Sequence, residues 1–354
     1  MSRTRFTLLL IAALVAIGAA VYLSSQRNLQ TDTGGAPLFP TMASELNTVT
    51  EVSITKGAAT PAVTLRKTGE QWSVAQRADY PADVAKLRRL LLALGETKVI
   101  EEKTSDPANY PIIGVEDPTK AGASGAEVDL VAQDGKHALI VGKPVGEGTF
   151  VRRPGESKSY TVEPAISVEA DPRSWIDTRL IDIPSSSIQT VEFKPTTGAG
   201  YVLHRLKPKE DDFAIDKVPP GRKTLDAKAL APSANTLSGL TAEDVAASKD
   251  IDFSQSAQAI LTLDDGNVIT LTGTAVGDKR WIEVQASKDT ALAAKAQNRA
   301  FEVASYRYDA IFRPLDQLLV PKETKPRPDA GAGASGNKGH AALPVKSSSP
   351  PTTP

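Results

Sequence analysis

The sequence of 354 residues contains no cysteine, only three histidines, and few aromatic residues, which make up 5% of the chain. Without cysteine the chain cannot form disulfides, thiolate nucleophiles, zinc–thiolate sites or iron–sulfur clusters. It also lacks the cysteine to which a bacterial lipoprotein attaches its lipid. The histidines are His137, His204 and His340. A site built on histidine therefore has few residues to draw on.

An excess of charge of either sign is also missing. The chain has 41 basic and 42 acidic residues, which gives a net charge of −1. With no cationic surplus to hold a phosphate backbone, we expect no nucleic-acid partner. Hydrophobic residues make up 40% of the chain and charged residues 23%. This composition is typical of a folded protein, and the length is sufficient for two domains.

The amino terminus carries one long apolar run, Phe6–Leu23, behind Arg3 and Arg5. As a helix this run would span about 27 Å, close to the thickness of the hydrocarbon core of a bilayer. We therefore predict that residues 1–25 form a short cytoplasmic end and an uncleaved transmembrane anchor. The alternative is a secretory signal cleaved after Gly18-Ala19-Ala20, but the apolar run continues beyond that site.

The two arginines predict the orientation of the anchor. Basic residues stay on the cytoplasmic side, so the body of the protein would lie in the periplasm or otherwise outside the cytoplasm. The expected location is the bacterial inner membrane, spanned once. Residues 26–45 are predicted to be a tether. Residues 321–354, rich in proline, glycine, alanine and serine, are predicted to be a disordered tail.

The region between tether and tail carries one pattern twice. The segment VDLVAQDGKHALIVGKPVGEGTFV (128–151) matches AILTLDDGNVITLTGTAVGDKRWI (259–282) at a constant shift of 131 positions. The matched pairs include Leu130 with Leu261, Gly142 with Gly273, and Phe150 with Trp281. We predict two tandem units that fold alike, residues 46–182 (the first repeat) and 183–320 (the second repeat).

Each repeat is predicted to be an antiparallel sheet with hairpins and one main helix, which makes the fold class α+β. Alternating apolar residues around Asp-Gly pairs indicate hairpins. In the first repeat, PADVAKLRRLLLALGETKVI places Val84, Leu87, Leu91 and Leu94 on one helical face. The corresponding stretch of the second repeat is interrupted by Pro232.

No segment carries a motif specific enough to assign a catalytic, cofactor-binding or metal-binding residue. GKPVGEG (142–148) has Gly-Lys before a strand, where a phosphate-binding loop needs it at the start of a helix. Asp264–Asn267 lacks the alternating acids of a calcium loop and is predicted to be a turn. Ser185–Ser187 is predicted to link the repeats, and His137 and His204 have no motif around them.

The three tryptophans, Trp72, Trp175 and Trp281, are predicted to be core residues. The equivalent positions in the other repeat are phenylalanines: Phe213 for Trp72, Phe312 for Trp175 and Phe150 for Trp281. Each position thus accepts either bulky aromatic side chain, which favours packing over a ligand cage.

Several segments in this order resemble a bacterial family, domain-of-unknown-function family 4340. They are GEQWSV, the leucine-rich helix, NYPIIGVEDP, LIVGKPVGEGTFVRR and SYTVEPAI followed by WIDTRLI. The resemblance covers roughly residues 46–320 and carries no catalytic motif. It implies an accessory protein encoded beside gliding-motility-type ABC transporter components. The second repeat lacks the NYPIIGVEDP segment, so the two repeats need not have equal roles.

We therefore expect a membrane-anchored, extracytoplasmic accessory or scaffold subunit of an ABC-type transporter or envelope machine. It would be non-catalytic, without cofactors, and bound to the membrane through Phe6–Leu23 and to integral-membrane transporter subunits. The alternatives are an envelope hydrolase with a cleft between the repeats and a periplasmic ligand-binding module.

Overall fold

The computed structural model of the protein describes residues 35–208 and 210–321, and β-strands carry most of the fold in that part of the chain. The first ten strands are β1 (Ala36–Pro37), β2 (Glu51–Thr55), β3 (Val63–Thr68), β4 (Gln71–Val74), β5 (Tyr80–Pro81), β6 (Lys98–Glu102), β7 (Ala126–Ala132), β8 (Gly135–Val145), β9 (Gly148–Arg152) and β10 (Ser159–Glu163). The next ten are β11 (Arg179–Ile181), β12 (Ile188–Lys194), β13 (Tyr201–Arg205), β14 (Phe213–Ile215), β15 (Leu240–Thr241), β16 (Asp244–Ala247), β17 (Ala257–Leu263), β18 (Val268–Val276), β19 (Lys279–Ala286) and β20 (Arg299–Glu302).

The strands form two large antiparallel sheets with the same internal order. Within the described residues, the first sheet runs β1-β6-β10-β9-β8-β7-β2-β3-β4-β5 and the second β14-β13-β12-β17-β18-β19-β20-β16. When the second sheet is read from β16 to β14, its eight strands correspond one for one to the eight strands from β6 to β4 in the first sheet. This shared order is the arrangement that two tandem copies of one unit would have.

Helices are few and short. They are α1 (Met42–Glu45), α2 (Val84–Glu96), α3 (Tyr110–Ile113), α4 (Ala227–Leu230), α5 (Thr290–Ala296) and α6 (Ser305–Ile311). Mixed α+β structure with antiparallel sheets confirms the predicted fold class. The expected main helix is present only in the first repeat, as α2. In the second repeat α4 has four residues and passes into a 3-10 turn, Ala231–Ser233, at Pro232. Proline there has no backbone N–H to donate and ends the α-helical bonding.

The body of the protein begins earlier than residue 46. Leu38 and Met42 are buried in the core, and β1 pairs with β6, so residues 36–45 of the predicted tether belong to the folded body. The predicted anchor Phe6–Leu23 and residues 322–354 of the tail lie outside the described residues. Between residues 35 and 321, the described helices are all too short or too polar to cross a bilayer.

One hydrophobic core runs through both repeats. Trp175 of the first repeat and Phe213 and Phe301 of the second are fully buried in it. The repeats are also joined by backbone pairing, because β11 pairs with β15. The described residues up to Val320 therefore form one compact unit.

Candidate interaction groove

A groove of about 500 Å³ lies in the first repeat between α2, the β3–β4 hairpin and the first turns of the described chain. Eight of its twelve lining residues have apolar side chains and four are polar or charged, with Trp72 on one wall and the α2 side chains on the other. The lining residues are Ala43, Leu46, Asn47, Val49, Lys67, Glu70, Trp72, Val84, Leu87, Arg88, Leu91 and Leu92.

Helix α2 forms the long wall of the groove. Asp83 caps its start, because the Asp83 carboxylate accepts a hydrogen bond from the Lys86 backbone N–H at 2.9 Å. Its buried face carries four leucines, Leu87, Leu90, Leu91 and Leu94. Val84, which the sequence pattern places on the same face, is 46% exposed, and Leu92 is 43% exposed. These two apolar side chains of α2 are therefore only partly covered by the described protein.

Trp72 forms the facing wall. It lies on β4 opposite Lys67 of β3, and it packs against the core while remaining partly exposed. The prediction that the tryptophans are core residues holds for Trp175 and Trp281, which are 0% and 5% exposed. For Trp72 it holds only in part, since one side of the indole contributes to the groove.

The groove carries one uncompensated positive charge. The Lys67 ammonium lies 3.7 Å from the Glu70 carboxylate, so these two charges offset each other. Arg88 forms no ion pair with any residue of the described part of the chain. The groove thus combines apolar side chains with the charges of Lys67, Glu70 and Arg88, of which only Arg88 lacks an ion-pair partner among the described residues.

The glycine-rich segment 142–148 has a structural role. The Lys143 ammonium donates to the carbonyl oxygens of Pro111 and Ile112, at 3.3 and 2.8 Å, and so caps the end of α3. A side chain at Gly142 would come within 3.0 Å of the Ile113 carbonyl oxygen. Gly-Lys and the NYPIIGVEDP segment therefore form one packing unit.

The acidic turn Asp264–Asn267 is closed by its own hydrogen bonds. The Asp265 carboxylate accepts from the Asn267 backbone N–H at 2.7 Å. The Lys288 ammonium donates to the Asp265 carbonyl oxygen at 2.7 Å. Across the described ranges, no three His, Asp or Glu side chains are grouped so that they could hold a metal ion. Ser185–Ser187 forms a 3-10 turn at the junction of the repeats, as a linker would.

The two histidines of the body each contact one carboxylate. His137 Nε2 lies 2.8 Å from Asp134 Oδ1, and Thr41 donates to Asp134 Oδ2 at 3.0 Å. The hydroxyl thus reaches the carboxylate and not the imidazole, whereas nucleophilic catalysis requires a hydroxyl bonded to its base. His204 Nδ1 lies against the Asp216 carboxylate. His340 lies outside the described residues.

Two further cavities lie elsewhere in the described protein. One of about 630 Å³ lies beside α5 in the second repeat and includes Ser248, Glu283, Gln285 and Gln297. The other, of about 560 Å³, includes Glu96, Glu147 and Glu163 of the first repeat. Like the groove, each lies within one repeat. The junction between the repeats holds the ion pairs of Arg77 with Asp244 and of Lys295 with Asp177.

Comparison with protein families gives one match, described as "Domain of unknown function (DUF4340)", which covers residues 72–265. This is more than half of the chain. The chain belongs to the DUF4340 family. The match begins at Trp72 and ends at Asp265, so it is narrower than the predicted 46–320. No curated protein and no solved structure matches the chain significantly. For this DUF4340 chain, the groove beside Trp72 combines a partly exposed aromatic side chain with two exposed aliphatic side chains and an exposed arginine.

The groove was not predicted from the sequence. Periodicity identified α2 and the strand that bears Trp72, but not the space between them. The sequence did contain one difference that distinguishes the two repeats at this place. The residue paired across the strands with the aromatic side chain is Lys67 in the first repeat and Arg205 in the second.

Proposed function

We propose that the chain is a membrane-anchored, extracytoplasmic accessory or scaffold subunit of an ABC-type transporter or envelope machine, without catalytic activity of its own. The observation that carries this proposal is the groove beside Trp72 with its exposed Val84 and Leu92. A groove beside a helix with exposed aliphatic side chains can receive the apolar side chains of a partner protein.

The position of the groove along the chain supports a partner at the membrane. The folded body that carries the groove begins at Ala36, thirteen positions after the end of the predicted anchor, Leu23. A chain of this length reaches at most about 45 Å when fully extended. The groove would therefore stay within reach of integral-membrane subunits. The family resemblance points to ABC transporter components as these partners.

Protease accessibility and co-purification test this function together. The full chain, tagged at its carboxyl end, is expressed in its native host, and spheroplasts are treated with protease. We expect digestion of the body and co-purification of a permease and an ATPase from mild detergent. A matched variant with residues 1–25 replaced by a cleavable signal should lose the co-purification of both. Protection of the body in intact spheroplasts would contradict the proposed location.

A ligand-binding module is the second candidate, on the basis of the 630 Å³ cavity beside α5. Amide groups such as those of Gln285 and Gln297, which line this cavity, suit a polar ligand that offers both donors and acceptors. Thermal unfolding of the purified body against a panel of envelope sugars and short peptides tests it. A concentration-dependent rise in Tm that Gln285→Ala abolishes would favour this function.

A further inference from the structure

The two repeats contain the same aromatic position in two different states. Trp72 lies opposite Lys67 across the β3–β4 pair, and Phe213 lies opposite Arg205 across the β13–β14 pair. Both hairpins occupy the same place in their sheets. The second repeat therefore shows how this position looks when it is closed.

In the second repeat Arg205 seals the aromatic ring. Its guanidinium lies over the Phe213 ring, 4.6 Å from the centroid, and Phe213 is 1% exposed. The guanidinium is fixed because it donates to the Ile188 carbonyl oxygen at 2.7 Å and also to those of Ser185 and Glu210. Only arginine has the planar, forked set of donors that this arrangement needs.

In the first repeat the seal is absent. Lys67 has a single ammonium, which pairs with Glu70. The 3-10 turn Leu46–Thr48 precedes β2 as Ser185–Ser187 precedes β12, and its Leu46 adds an apolar side chain to the groove. Trp72 therefore keeps an open side where Phe213 has none.

The open side has the pattern of a helix-binding surface. Val84, Arg88 and Leu92 are spaced by four residues and so form one stripe along α2. Residues with this spacing form a ridge that packs into a groove on the surface of a second helix. The stripe supplies two exposed aliphatic side chains with an unpaired cation between them.

We propose that this groove binds an amphipathic helix of another protein, which places aliphatic side chains between Trp72 and α2 and a carboxylate against Arg88. Helix-in-groove recognition uses such anchors at helical spacing. The charges that line the groove are mixed, with Glu70 beside Lys67 and Arg88, which favours a protein partner over a lipid surface, because attraction to anionic lipids relies on clusters of basic residues. The inference rests on the proposed accessory function, which supplies a partner at the membrane.

Site-specific crosslinking in the native host tests the proposal. The full chain carries a photoreactive amino acid at Val84 or Leu92, and in matched controls at Ile112 or Val276, which are exposed elsewhere. We expect both groove positions, and neither control, to crosslink to the same protein. The crosslinked peptide should have aliphatic residues at helical spacing and at least one Asp or Glu.

Charge reversal supplies the sharper measurement. Loss of a hydrogen-bonded charge pair at an interface costs enough free energy to weaken binding by about tenfold or more. Arg88→Glu should therefore reduce crosslinking at Leu92 by about tenfold, and replacing the acid of the partner by lysine should restore it. Arg89→Glu is the matched control, because Arg89 is adjacent on α2 but does not line the groove. It should leave crosslinking unchanged.

The remaining outcomes would overturn the proposal. These are crosslinks to lipid, to a second copy or to the same chain, no crosslink at either groove position, and equal effects of Arg88→Glu and Arg89→Glu. The accessory function fails separately. It would be contradicted if the helical partner were a protein unrelated to transport, or if the permease and ATPase were absent from the purified complex.

Discussion

Arg299 of the second repeat donates to the backbone carbonyl oxygen of Ala78 in the first repeat at 3.0 Å. A second nitrogen of the same guanidinium reaches the Asp79 carbonyl oxygen at 3.1 Å. Ala78 and Asp79 have φ values of 53° and 51°, the left-handed region that non-glycine residues seldom adopt. One arginine thus fixes a strained turn and joins the two repeats.

Arg299→Met is predicted to destabilise the protein by about 2 kcal/mol, because hydrogen bonds to a charged group contribute roughly that much. Urea unfolding at neutral pH measures the change. Arg66→Met is the matched control, since Arg66 pairs with Glu51 on the surface and is 56% exposed. It should change stability by less than about 1 kcal/mol. Equal effects of the two substitutions would contradict the role of Arg299.

Gly142 and Gly273 are predicted to tolerate alanine poorly, for different reasons. A side chain at Gly142 would meet the Ile113 carbonyl oxygen, and one at Gly273 would meet the Phe312 ring, each within 3.0 Å. Overpacking of this kind costs about 1–3 kcal/mol. Phe312→Leu should relieve part of the cost of Gly273→Ala, because a side chain can be shortened and a backbone cannot. A double-mutant cycle by urea unfolding tests this difference.

Sequence reasoning predicted the hairpins and the fold class but missed a local difference between the repeats. Leu130 pairs with His137, whereas the equivalent Leu261 pairs with Ile269, one residue beyond a constant shift of 131. The turn of the second repeat is one residue longer. In the first repeat, β8 has one extra residue between Val141 and Pro144, where its pairing register with β9 shifts by one. The alignment stays free of gaps because the two differences cancel.

The groove was beyond prediction for a related reason. Whether Trp72 is covered depends on the side chain across the strand pair and on the turn before β2, which are distant in sequence. Lysine and arginine look alike in any pattern of charge and hydropathy. They differ here because only the guanidinium of Arg205 can bond three carbonyl oxygens and cover a ring.

Trp72→Ala is predicted to cost less stability than Phe213→Ala, although the two positions are equivalent. Phe213 is 1% exposed, and truncating a buried phenylalanine costs about 3–5 kcal/mol. Trp72 is partly exposed in the groove, so its truncation should cost about 1–2 kcal/mol less. Urea unfolding of both variants measures the difference. Equal losses would mean that Trp72 is as fully enclosed as Phe213.

The ion pair of Asp177 predicts how the stability of the protein changes at acidic pH. Burial alone would raise the pKa of Asp177, but the hydrogen bond and charge of Lys295, with support from Arg179, bring this pKa below its ordinary value. A carboxyl group whose pKa is lower in the folded state stabilises the protein above its unfolded value, about 3.9. This contribution is lost as the pH falls through the lower, folded value.

Asp177→Asn should therefore destabilise the protein by about 1 kcal/mol at pH 7, as expected for a partly exposed ion pair. The gap between the two proteins should narrow as the pH falls below about 4, where the wild-type carboxyl group is protonated as well. Urea unfolding of both proteins between pH 3 and pH 7 gives the gap directly. A gap that widens in acid would have the wrong sign for this assignment.

The double variant His137→Gln/His204→Gln tests whether the protein is non-catalytic. A general base that works near neutral pH is most often a histidine. In this chain the imidazoles of the body contact Asp134 and Asp216, and glutamine can still donate a hydrogen bond to a carboxylate. We expect normal protein abundance and a normal growth or motility phenotype. Trp175→Ala should instead lower abundance, because this fully buried side chain contributes about 3–5 kcal/mol. A double-histidine variant that accumulates normally but has the phenotype of a gene deletion would point to chemistry at one of these imidazoles. The hydrolase alternative would then replace the accessory function.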